Sequence, residues 1–145
     1  MQTLVKGVQM QEFKTLTVDS FTTPCPLAVK EWTSLKEVDH MMKDSQIRHL
    51  PVLDGDGILK GIITERNIVP LLLELNSELK AKDIMVDNPE SVRTGSLLSE
   101  AVFLMSEKKI GSLLVLDEQG KLDGIFTSTD ALNALVEVLR GEVFS

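Results

Sequence analysis

Cysteine occurs once, at Cys25, in a chain of 145 residues. A single thiol excludes an internal disulfide and a paired-cysteine metal site. With no activating base beside it, Cys25 reads as a loop or core thiol rather than a nucleophile. No stretch approaches the roughly 20 apolar residues that cross a bilayer, so no membrane span is expected. Positive charge is also short: 15 Lys and Arg stand against 22 Asp and Glu, a net charge of −7. That balance opposes the basic face needed to neutralise phosphates, so nucleic acid is not an expected partner. The start, Met1-Gln2-Thr3-Leu4-Val5-Lys6-Gly7, lacks the basic region and apolar run of a secretory signal, and the expected location is the cytoplasm. Metal motifs fail on inspection. Asp54-x-Asp56 with Glu65 imitates the ends of an EF-hand loop, but Ile58 and Leu59 stand where a ligand and a glycine are needed. His40 has no Cys, His or carboxylate partner at metal spacing. No nucleophile stands beside a base, no paired carboxylates form a cleft motif and there is no cofactor lysine. An enzyme is therefore not expected, nor is a covalent cofactor.

What the chain does contain is a repeat. Gly61-Ile62-Ile63-Thr64-Glu65-Arg66-Asn67 and Gly124-Ile125-Phe126-Thr127-Ser128-Thr129-Asp130 are one motif at an offset of 124 − 61 = 63 residues. At that offset, without a gap, Pro26 falls on Pro89, Leu35 on Leu98, Glu37 on Glu100, Met42 on Met105, Val52-Leu53-Asp54 on Val115-Leu116-Asp117, and Gly57 on Gly120. The chain is a tandem duplication: an arm over 1–16, a first repeat over 17–79 and a second over 80–145. Units of this size bury too little surface to stand alone, so each half is expected to need the other.

Each repeat reads β-α-β-β-α, an α+β pattern. After the prolines of the connectors come short strands near Leu27–Val29 and Ser91–Arg93. Ser34-Leu35-Lys36-Glu37 has the form of a capping box, and Leu35, Val38, Met41 and Met42 form an apolar helical stripe, repeated from Leu97 to Ser106. Strands over Ile47–Leu53 and Ile110–Leu116 run into turns at Asp54-Gly55-Asp56-Gly57 and Asp117-Glu118-Gln119-Gly120, where Gly and Asp tolerate positive φ. Leu59–Thr64 and Leu122–Thr127 return antiparallel. Helices are expected over Glu65–Leu75 and Ser128–Leu139.

Thr64 and Thr127 thus end strands and begin helices. Each can cap its helix, with Asn67 or Asp130 at N3 reaching back to a free amide. The same helix start favours anions such as phosphate. The Asp130 carboxylate has the acceptors for two ribose hydroxyls, whereas Asn67 has one acceptor oxygen and one donor group. Arg48 and His49 are candidate cations for a phosphate, or a solvated residue and an edge histidine. The aligned pair in the second repeat is Gly111-Ser112.

These residues carry a resemblance. The Gly-apolar-apolar-Thr/Ser-x-x-Asp pattern, preceded by Leu50-Pro51-Val52-Leu53-Asp54, resembles a tandem pair of cystathionine-β-synthase (CBS) domains, a Bateman module, over residues 17 to 140. The resemblance implies two repeats packed sheet to sheet with pseudo-twofold symmetry, and two clefts that hold an adenosine-containing ligand. It implies phosphate and ribose contacts by Thr64, Thr127 and Asp130, with Asn67 departing from the usual Asp. It also implies that Thr23–Pro26 with Ile47–Leu50 line one cleft, and Asp87–Pro89 with Ile110–Leu113, Ser112 among them, line the other. The expected function is a regulatory, signal-transducing sensor of AMP, ADP, ATP or S-adenosylmethionine, acting in trans through a homodimer or an unidentified protein partner. The alternative is a ligand-free structural dimerisation module.

Overall fold

Two four-stranded sheets carry the fold, and the chain is α+β as its pattern predicts. The structure, a computed structural model, describes Leu4–Val5, Val8–Gln9, 13–24 and 27–141. Within the arm, β1 (Leu4–Val5) and β2 (Val8–Gln9) pair antiparallel. A 3-10 turn at Val18–Ser20 and β3 (Thr23–Pro24) lead into the first body. That body holds β4 (Val29–Lys30), α1 (Leu35–Asp44), β5 (His49–Leu53), β6 (Leu59–Thr64) and α2 (Glu65–Ile68). Another lead-in follows, with α3 (Ala81–Ile84) and β7 (Val86–Asp87). The second body holds β8 (Ser91–Arg93), α4 (Leu98–Lys108), β9 (Ser112–Leu116), β10 (Leu122–Thr127) and α5 (Ser128–Arg140).

Local chemistry accounts for most boundaries. Ser34 caps α1, its hydroxyl accepting from the Glu37 amide at 3.2 Å. Both hairpin turns are closed by an aspartate. Asp54 Oδ1 accepts from the Asp56 and Ile58 amides (2.8 and 2.9 Å), and Asp117 Oδ1 from those of Gln119 and Lys121 (both 2.9 Å). The Ile58 amide, with smaller help from Asp56, Lys60 and Lys30, holds the Asp54 carboxyl below its ordinary pKa. Gly57 and Gly120 take φ of 82° and 81°, as these turns require. One expectation fails. The helix foreseen over Glu65–Leu75 stops at Ile68 and continues as a 3-10 helix, Val69–Glu74. Pro70 has no amide to give to the ladder, and its ring clashes with the carbonyl four residues back. The aligned residue is Asn133, and α5 runs on unbroken.

The lead-in segments trade bodies. One sheet has the order β4-β5-β6-β7 and the other β3-β10-β9-β8. Within each, the body's first two strands are parallel and the rest antiparallel. Thus β7, which precedes the second body, completes the first sheet through Gly61↔Asp87 and Ile62↔Val86. β3, which precedes the first body, completes the second through Gly124↔Pro24 and Ile125↔Thr23. Backbone hydrogen bonds repeat the exchange: Val18 N–H donates to Ser96 O at 2.9 Å, and Ala81 N–H to Thr33 O at 2.7 Å. The heptad glycines are explained by it. A Cβ on Gly124 would lie 2.6 Å from Thr23 O, and one on Gly61 would lie 2.5 Å from Met85 Sδ and 2.8 Å from Val86 O.

The compact units follow the exchange rather than the repeat boundaries. One is 26–89 and the other combines 1–25 with 90–145. In the first, Leu35, Val38, Met42, Leu50, Val52 and Ile63 pack with Ala81 from the lead-in. In the second, Leu98, Ala101, Met105, Leu113, Val115 and Phe126 pack with Val18. Pro51 and Ile62 in one sheet, and Leu114 and Ile125 in the other, alternate away from these clusters and are buried too. Burial on both faces is why the strands read as unbroken apolar runs.

Candidate functional site

Each strand-to-helix junction is built around its N3 side chain. Thr127 is the extended N-cap of α5, with φ −112° and ψ 173°. Asp130 turns back so that Oδ2 accepts from the Thr127 amide at 2.8 Å and from the Thr127 hydroxyl at 3.2 Å. Its other oxygen, Oδ1, accepts from the Thr23 hydroxyl at 3.0 Å. Asp130 is a buried carboxylate, 8% exposed, at the positive end of a thirteen-residue helix. At the other junction Asn67 Oδ1 accepts from both the amide and the hydroxyl of Thr64, at 2.8 and 3.0 Å. Both N3 side chains reach back to the N-cap amide, as the sequence predicts. The Asp130 site offers charge and fixed acceptors; the Asn67 site offers a neutral amide.

The flanking residues also differ. Arg48 sits just before β5, where its carbonyl accepts from the Glu65 amide at 3.0 Å and its Nε stands 3.6 Å from Glu65 Oε2. Both side chains of this ion pair are largely exposed, so it holds Arg48 weakly. Burial, then the neighbouring Arg48 charge, lowers the pKa of His49. Near neutral pH His49 therefore supplies hydrogen bonds rather than charge. In the second body Gly111 O accepts from the Ser128 amide at 3.0 Å, and Ser112 is half-buried at the start of β9. Arg48 and Glu65 border an open groove of ≈ 520 Å³ between the end of α1 and the 3-10 helix, with Met42, Ile47 and Leu72. Thr64, Asn67 and His49 do not line it, so its volume is not that of the threonine motif. Among the described residues no group of three or more His, Cys, Asp or Glu is placed to hold a metal. Among the same residues no helix is long and apolar enough to cross a membrane.

The structure brings Thr127 and Asp130 together, and Thr64 with Asn67. The lead-in segments are placed by the strand exchange. The Asp87–Pro89 loop falls within unit 26–89, the unit of Thr64 and Asn67, and Asp87 pairs directly with Gly61. The chain just beyond it turns to β9, where the Leu114 amide donates to Glu90 O at 3.0 Å. Pro26, like Cys25, lies outside the described residues. Sequence reasoning missed the bond from Thr23 to Asp130, which spans 107 residues of chain. The only available signal was a threonine in the loop before the first strand, and nothing in the repeat register assigns it to the second motif.

Comparison with known proteins agrees with this architecture. The family model "CBS domain" matches twice, over 18–74 and 81–137. A CBS domain-containing protein of Dictyostelium discoideum is 34% identical over 97% of this chain and 96% of its own length. Other curated relatives are longer, and the chain spans 25% of one and 20% of another. The structure of CBSX2, a protein of Arabidopsis thaliana, in complex with AMP superposes with a TM-score of 0.75 at 29% identity, covering 85% of this chain and 98% of that one. The CBS domain pair of protein MJ0100, in complex with 5'-methylthioadenosine and S-adenosyl-L-methionine, gives a TM-score of 0.73 at 26% identity over 82% of this chain and 98% of that one. Each matched segment holds one threonine motif and the three body strands of one sheet, and the chain belongs to the CBS domain family as a tandem pair.

Proposed function

We propose that the chain is a non-catalytic regulatory module that senses an adenosine-containing ligand and acts through association with a second copy or a protein partner. The observation that carries this reading is the Asp130 carboxylate, buried and aimed by three hydrogen bonds at the start of α5. A carboxylate so held accepts ligand hydroxyls without reorganising, and the helix start beside it favours a phosphate. The AMP complex of CBSX2 and the adenosyl complexes of the MJ0100 pair support an adenosine ligand. Thr64, Asn67, Arg48, His49, Ser112 and Pro89 are proposed to line the two sites with Thr127 and Asp130. A thermal-shift screen against AMP, ADP, ATP and S-adenosylmethionine tests the reading, since a ligand at 100 times its Kd stabilises by about 2.7 kcal/mol. No shift with any of them rejects it.

A second reading, a ligand-free dimerisation module, is favoured by the apolar stripe on α5, where Leu132, Leu135 and Leu139 stand exposed. A dimer that persists while every adenosine compound fails to bind selects it.

A further inference from the structure

The two junctions are equivalent by sequence and differ in one hydrogen bond. At the Asp130 junction the carboxylate is gripped at both oxygens, by the Thr127 amide and hydroxyl on Oδ2 and by the Thr23 hydroxyl on Oδ1. At the Asn67 junction the residue equivalent to Thr23 is Val86 (23 + 63), paired with Ile62 as Thr23 is paired with Ile125. Valine has no hydroxyl, and Asn67 is held through Oδ1 alone, by Thr64.

We propose that Thr23 is a specificity-determining residue that makes the Asp130 junction selective for a vicinal diol. This inference rests on the reading of the chain as an adenosine sensor. Each carboxylate oxygen has room for two donors. The two Thr127 donors fill Oδ2, and Thr23 takes one place on Oδ1, so one acceptor place remains on Oδ1. Having given its proton to Asp130, the Thr23 oxygen is left with its lone pairs and is itself an acceptor. Two acceptors therefore stand 3.0 Å apart, a separation that suits the two hydroxyl donors of a cis-diol such as that of ribose. A ligand lacking either hydroxyl leaves one of them unpaired. Sites built to bond a hydroxyl reject analogues without it far more strongly than apolar pockets distinguish methylenes. The first-body junction, with Val86 and Asn67, has no such pair and is indifferent to the diol.

The test measures AMP and 2',3'-dideoxy-AMP binding to the full chain by calorimetry, in wild type, Thr23→Val and Thr23→Ser. The wild type is expected to prefer AMP by about tenfold or more, the scale of a hydrogen bond to a charged group. Thr23→Val is expected to lose most of that preference while its affinity for the dideoxy compound stays unchanged; Thr23→Ser keeps the preference. Thr23 is solvent-exposed, and the isosteric valine should be tolerated. If Thr23→Val melts without cooperativity, Thr23→Ala is judged by the same ratio. A Thr23→Val or Thr23→Ala chain with the wild-type preference overturns the proposal and leaves the sensor reading standing. So does a wild type that binds both compounds alike. A wild type that binds neither compound, nor any other adenosine ligand, overturns the sensor reading and this proposal with it.

Discussion

Asp130 and Asn67 occupy equivalent positions and share one task, each returning an oxygen to the amide of its N-cap threonine at 2.8 Å. Replacing either by alanine removes that contact and is expected to cost ~1 kcal/mol of stability, and Asp130→Ala loses the Thr23 bond as well. Their effects on binding should part. Hydrogen bonds to a charged acceptor contribute about 1.5–3 kcal/mol and those to a neutral one about 0.5–1.5. Calorimetry with AMP should therefore show Asp130→Ala the more damaging, and equal losses would reduce both motifs to helix caps. His49 gives a second expectation at this scale. Its folded pKa lies below the unfolded value, because burial and Arg48 disfavour the imidazolium. The stability this contributes is complete above roughly pH 6.5 and is lost as pH falls through the folded pKa. Denaturant melts on either side of pH 6.5 should show the fall, and His49→Gln should flatten it.

The two-residue strands β3 and β7 decide how each sheet is completed, and the heptad glycines exist to admit them. Gly124→Ala would put a methyl against the carbonyl oxygen of Thr23, and backbone cannot step aside as a side chain can. The expected cost is about 1–3 kcal/mol. At Gly61 the nearest atoms belong to the flexible Met85 side chain, though Val86 O is also close, so Gly61→Ala should cost less. Thermal melts of the two variants order them; a Gly124→Ala chain as stable as wild type would show that β3 is not held there. The same strands mark where the sequence stops being legible. The capped α1, the aspartate turns and the apolar runs of β5, β6, β9 and β10 were readable because each follows from chemistry within a few residues. The Pro70 break was readable in principle, since a proline six residues into an expected helix removes a ladder bond. The exchange was not readable. Two residues carry no periodicity, and an ungapped repeat says which segments are equivalent without saying which body each joins. For the same reason Asp130 could be singled out from its motif, while Thr23, its partner from the far end of the chain, could not.

At the scale of the molecule, the exchange means that cutting at the repeat boundary removes a strand and a core residue from each body. A fragment of 80–145 lacks β3 and the fully buried Val18, so it is expected to aggregate or remain unfolded. Fragment 26–89, which keeps β7 and Ala81, should show more amide protection than the similarly sized 17–79. Equal protection would show that the lead-ins contribute little. The surface supplies the last expectation. Helix α5 turns Ala131 and Ala134 inward. On its other side Leu132, Leu135, Val136 and Leu139 are 61%, 50%, 44% and 66% exposed. Their spacing of three, one and three residues draws a continuous stripe along the helix, and Phe103 on α4 is 66% exposed as well. A helix apolar on both sides is normally covered on both, and contiguous exposed apolar patches mark association sites. A second copy of the chain is the proposed cover. Light scattering at tens of micromolar should give twice 16.0 kDa. Leu135→Lys with Leu139→Lys should shift the protein to monomer, because two cations would then have to be buried in the interface, while the inward face and a cooperative melt survive. A wild type of 16.0 kDa under those conditions would show that the stripe is covered by something other than a second copy.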